Sequence, residues 1–176
     1  MAIDDLEGLS ARYQELLKRV DDHTARVAEA HVDRMACRPG CAGCCRAGLT
    51  VAPIEAAAIE RWLAEHPEPT DTDGTRVLTV LDEGREDCAW LGRDGRCRIY
   101  PARPLVCRSH GLPLLYERAG ELHADVCPLN FDDADGLTTV ATSEFLHQDT
   151  VHTILAALNQ AWCAVAGRDP SEREPL

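Results

Sequence analysis

The strongest constraint on this chain is a short run, Cys37-Arg-Pro-Gly-Cys41-Ala-Gly-Cys44-Cys45. Pro39, Gly40 and Gly43 break any helical or strand period there and supply the turns that fold several side chains onto one point. Thiolates ligate soft and borderline metals, and gaps of three and then two residues set such ligands around a turn. The adjacent pair is unusual, because consecutive side chains generally point apart. Cys44 and Cys45 therefore serve opposite sides of a shared site or two neighbouring metals, or one of them is buried as an apolar filler.

A second set follows at Cys88, Cys97, Cys107 and Cys127. The two sets suffice for two four-thiolate sites, or for one iron–sulfur cluster with cysteines to spare. So much negative charge in a partly buried place has to be offset, mostly by metal. Arg46, Arg98, Arg103 and Arg108 each lie within a few residues of a cysteine; Arg103 and Arg108, beside prolines and Cys107, are the better candidates for supporting the thiolates from behind. His110 and His123 fall within the second region as candidate ligands or polar supports. His23 and His31, in an amphipathic stretch, read as surface or interfacial histidines. The ninth cysteine, Cys163, sits beside Trp162 in an apolar helical pattern and reads as a small core filler.

Compartment decides between metal and disulfide. MAIDDLEGLS has no basic stretch leading into an apolar core, and the longest nearly apolar run, Ile154 to Val165, contains Asn159 and Gln160 and is too short for a bilayer. The expectation is a soluble, cytoplasmic protein with no membrane association, where a reducing environment favours metal ligation over disulfides. A net charge of −12 repels nucleic-acid phosphates, so no nucleic-acid partner is expected.

Only 5% of the residues are aromatic although 45% are apolar. A core of Leu, Val, Ile and Ala favours helices over sheets, so the expected fold is mainly α. One helix is expected from Leu6 to Met35, with a break near Gly8–Ser10, Ser10 as a cap, and Leu16, Val20, Val27, Ala30 and Met35 as its apolar stripe. A second begins at Pro53, with Glu55 at its positive end and Ile54, Ala57, Ala58, Trp62 and Leu63 facing inward, and stops at Pro67 and Pro69. Thr70–Gly74 reads as a linker, and Arg76–Leu81 as a short helix or strand. The region from Asp87 to Asn130 reads as mostly loop with short hairpin-like or helical pieces, including a turn at Gly95. A last helix starts at Ser143 or Asp149 and runs to Ala166, stopped by Gly167. Together these make one metal-stapled domain over 1–167, with N- and C-terminal helices around a loop-dominated cysteine core at 37–130, and a polar tail at 168–176 that frays.

The ordered combination resembles the YkgJ-type cysteine-cluster family of zinc- or iron-chelating domains. Cys37, Cys41, Cys44 and Cys45 match its first cluster. Cys88, Cys97, Tyr100, Arg103, Pro104, Cys107 and Arg108 match its second, and Cys127 its more variable distal cysteine. The resemblance covers Cys37 to Asn130. One departure is Cys88-Ala-Trp-Leu, where relatives commonly have Pro after the cysteine. The resemblance implies zinc or iron, without choosing between them.

Three functions fit. In the first, the chain binds zinc or an iron–sulfur cluster through the eight clustered cysteines in a structural or metal-handling role. In the second it is an iron–sulfur-dependent redox enzyme; the chain is too short for the barrel usual in radical enzymes that share the C-x3-C-x2-C spacing. In the third it is a protein-interaction module with a structural metal. No Ser–His–Asp arrangement, HExxH helix, phosphate loop or dinucleotide fingerprint is present.

Overall fold

The computed structural model describes residues 5–67, 87–92 and 94–176. The linker expected at Thr70–Gly74 and the element expected at Arg76–Leu81 lie outside the described residues.

Helix α1 runs over Leu6–Ala30 without a break at Gly8–Ser10. Its cap is Asp5 rather than Ser10: the Asp5 carboxylate accepts the Gly8 amide at 2.7 Å, satisfying one of the donors a helix start leaves open. Ser10 lies inside the first turns and donates to the Leu6 carbonyl at 2.7 Å. The helix buries Leu9, Tyr13, Leu16, Leu17, Val20 and Val27, while Ala30, expected in the stripe, is exposed. It ends short of Met35 because tertiary partners capture Arg34. The Arg34 guanidinium bonds Asp133, Thr139 and the Gly136 carbonyl, and its own carbonyl accepts the Phe131 amide at 2.8 Å.

Strand β1 (Thr50–Val51) leads into helix α2 (Pro53–Glu65), which starts at the expected proline. Its buried residues are Pro53, Ile54, Glu55, Ala56 and Ile59; the expected Ala57, Ala58, Trp62 and Leu63 are half-buried instead. After a 3-10 turn at Tyr100–Ala102 comes the short helix α3 (Leu105–Ser109). Strands β2 (Leu114–Arg118) and β3 (Glu121–Asp125) form an antiparallel hairpin in which Arg118 faces Glu121. The two-residue turn, Ala119 and Gly120, has φ of +55° and +82°, the mirror-image turn that suits the twist of such hairpins. Strand β4 (Leu146–His147) adds to β2 in parallel, and helix α4 (Gln148–Ala166) follows directly.

Among the described residues the frame is therefore mainly helical, as expected, with two small sheets the composition did not announce. Helix α1 packs against α4 and α3, and α2 packs against α4. Their shared core includes Leu9, Tyr13, Leu17, Ile54, Leu105, Leu112 and Trp162. No helix among the described residues is long and apolar enough to cross a membrane.

The tail expected to fray is paired. Strand β5 (Glu174–Pro175) lies antiparallel to β1, the Leu176 amide donates to the Leu49 carbonyl, and Arg173 donates to the Thr50 carbonyl at 2.9 Å. Asn159, buried in α4, holds both neighbours. Its Oδ1 accepts the Ile54 amide at the open start of α2, and its Nδ2 donates to the Pro170 carbonyl at 3.0 Å. A polar residue that interrupts an apolar run is thus the joint between two helices and the tail.

Candidate metal centre

All nine cysteines are free thiols. The first cluster folds as two consecutive turns: the Cys41 amide donates to the Arg38 carbonyl and the Cys45 amide to the Ala42 carbonyl, each at 2.9 Å. Gly40 and Gly48 take φ of +93° and +81°, conformations a side chain disfavours, and so let the chain reverse before Cys41 and after Cys45.

The second set is laced to the first by backbone. The Cys88 amide donates to the Cys45 carbonyl at 3.0 Å, and Arg46 and Asp87 pair in an isolated antiparallel bridge. From Cys88 the chain turns through Gly95, as expected, and Leu91 bridges Cys97. Cys97 then leads through the 3-10 turn to α3, which carries Cys107. Helix α3 is held by a buried carboxylate: Glu55 Oε1 accepts the Leu105 amide at 3.0 Å and the Tyr13 hydroxyl at 3.3 Å, and Oε2 accepts the Ala52 amide. Three donors from three segments satisfy the acid and tie α1, α2 and α3 together.

The thiols feel one another. Burial pushes the Cys107 thiol up to about 12, and neighbouring Cys88, Cys97 and Cys45 push in the same direction. Cys44 is pushed up to about 11 by burial first, then by Cys45, Cys37 and Cys41. Cys45 and Cys97 are also raised, burial leading in both; Cys97 and Cys88 add to it at Cys45, and Cys88 at Cys97. Arg103 opposes the rise at both Cys97 and Cys107.

Arg103 lies over the Tyr100 ring, 3.6 Å from its centroid, and donates to the Tyr100 carbonyl at 3.0 Å. Arg108 is buried and turned to the backbone instead: it donates to the Arg103 carbonyl at 2.7 Å and the Pro101 carbonyl at 2.6 Å, and pairs with Asp21 of α1. Its visible work is to hold the loop that presents Arg103. His110 is exposed at the end of α3, and His123 stacks on Tyr116 across the hairpin. His23 and His31 both reach Glu144, His23 its carbonyl and His31 its carboxylate, as expected of interfacial histidines. Cys163 is fully buried in the core against Asn159.

Sequence reasoning missed Asn130. It is 1% exposed, and its Oδ1 accepts the Ala36 amide at 2.7 Å. Its Nδ2 donates to the Gly111 carbonyl at 2.7 Å and to Cys37 Sγ at 3.3 Å. Its backbone amide donates to the Cys127 carbonyl at 2.8 Å. An asparagine between Leu129 and Phe131 was the available signal, since a polar residue in an apolar stretch near a ligand candidate needs a partner.

As the side chains stand, no three His, Cys, Asp or Glu groups among the described residues are set to enclose an ion. The donor chemistry fits a thiophilic metal all the same. Free thiols from distant segments lie near enough to raise one another's pKa, their protons are displaceable by a metal, and a buried amide N–H points at one sulfur, the partner a thiolate favours. The open groove beside α4, lined by Glu55, Leu105, His152, Asn159 and Arg173 among others, has no cysteine in its wall.

Among curated proteins and among solved structures no match to the chain was found. A family profile does match, over residues 36–128, just over half of the chain and spanning both cysteine sets. The chain belongs to the CxxCxxCC family, described as a "Putative zinc- or iron-chelating domain".

Proposed function

We propose that this protein holds zinc or an iron–sulfur cluster through Cys37, Cys41, Cys44, Cys45, Cys88, Cys97, Cys107 and Cys127, in a structural or metal-handling role. The observation that supports it most is the lacing of Cys45 to Cys88, which brings the two cysteine sets together without a disulfide. Buried thiols at high pKa carry little charge by themselves; a bound metal stabilises the thiolate form and links segments that bury little apolar surface of their own. Arg103 would offset part of the remaining negative charge, with Arg108 holding its loop.

Metal content of purified variants tests the reading. Cys41→Ser and Cys107→Ser are expected to lose metal or to unfold, because a thiolate zinc site can contribute roughly 10 kcal/mol or more to folding. Cys163→Ala is expected to keep its metal and lose about 2 kcal/mol of packing. Metal content in Cys41→Ser and Cys107→Ser equal to that of the unaltered protein would refute the assignment.

A further inference from the structure

Eight thiols in two sequence blocks suggest one centre for each block, but the backbone divides them differently. Cys45 is tied to Cys88 by an amide–carbonyl bond, and Cys88 is followed by the Leu91–Cys97 bridge and the turn into α3. This strip brings Cys88, Cys97 and Cys107 up to Cys45, which stays in contact with Cys44 of its own block. Cys37 goes the other way. Its Sγ accepts from Asn130, whose backbone amide closes a turn onto Cys127, and a β-carbon built on Gly43, beside Cys44, would stand 3.9 Å from Leu129 Cδ1, two residues from Cys127. The distal Cys127 thus belongs with the beginning of the first block.

We propose that the thiols form two centres, Cys45, Cys88, Cys97 and Cys107 in one, and Cys37, Cys41, Cys44 and Cys127 in the other, with Asn130 as the residue that positions the second. This rests on the metal-binding reading above and deepens it. The adjacent Cys44 and Cys45 thiols touch each other and form the boundary between the centres: beyond that contact Cys44 lies near Cys37 and Cys41, whereas Cys45 lies nearest Cys97 and Cys88. Asn130 suits its role because three of its polar groups are committed to backbone at Ala36, Gly111 and Cys127, which leaves its remaining N–H aimed at Cys37 with little freedom.

The test is made on the unaltered full chain loaded with zinc. Zinc is withdrawn in steps with a chelator, exposed thiols are alkylated, and labelled positions are mapped molecule by molecule by mass spectrometry. Partly depleted molecules are expected to carry label on one whole set, with Cys44 and Cys45 always in different sets. Labels that mix the sets, or protection lost from all eight thiols at once, would overturn the partition while leaving metal binding standing. A chain that takes up no zinc and protects no thiol would instead overturn the metal-binding reading. As a second arm, Asn130→Asp keeps an acceptor for Ala36 but removes the N–H from Cys37. It should weaken zinc at the Cys37 set by about 10–100-fold and leave the Cys45 set unchanged. Equal weakening of both sets would contradict the positioning role.

Discussion

Gly111 and Cys37 approach so closely that a β-carbon on residue 111 would stand 2.6 Å from Cys37 Sγ. The same glycine has φ of +93°, and its carbonyl accepts from Asn130. Contact and conformation both require glycine here, and together they limit where Cys37 sits beside Asn130.

Gly111→Ala is accordingly expected to destabilise the chain by about 1–3 kcal/mol from backbone strain. It should also displace Cys37. Denaturant unfolding reads the first effect, and the alkylation rate of Cys37 in the metal-free chain reads the second. An alanine variant as stable as the parent, with Cys37 reacting at the same rate, would remove this contact from the account.

Glu55→Gln tests the other joint. The carboxylate accepts three donors, from Ala52, Leu105 and Tyr13. An amide of the same shape turns one acceptor into a donor and leaves a buried N–H facing another, at a cost of about 1–3 kcal/mol. Because Leu105 opens the helix that bears Cys107, metal affinity should fall along with stability. Unfolding curves with and without zinc separate the two effects.

The metal-free chain should lose stability in alkali. Cys44 and Cys107 have folded pKa values raised by burial to about 11 and about 12, against an ordinary value of 9.0. Between those limits the unfolded chain has given up protons that the folded chain retains. Stability therefore falls as pH rises above about 9. A metal-bound chain, whose ligating thiols are already deprotonated, should show a weaker fall over the same range. Denaturation midpoints measured from pH 8 to about 11 for both forms check this.

The long elements were legible because their signals are local. Pro53 and Glu55 mark the start of α2, Gly167 stops α4, and the apolar period of α1 holds from Leu9 to Val27. The start and end of α1 were less legible. Asp5 outcompeted Ser10 as a cap, and the end near Arg34 is set by Asp133 and Phe131, about a hundred residues away along the chain. The β2–β3 hairpin carries Ala119 where a more telling turn residue would have announced it, and the tail is held at Pro170 by Asn159, which looked only like a break in an apolar run. The cysteines themselves were plain, as was the separate standing of Cys163. Asn130 and Gly111 were not, because each matters through one contact with Cys37 that exists only after folding.

The most direct test of the central claim is zinc, iron and acid-labile sulfide content after purification without oxygen, with an absorption spectrum of the same sample. Zinc or iron is expected in stoichiometric amount, released when the cysteines are alkylated under denaturing conditions. Iron with sulfide would mark a cluster, and zinc with no sulfide and no visible band a thiolate-stapled centre. A folded chain carrying neither metal, and taking up neither when they are supplied to the reduced protein, would contradict it.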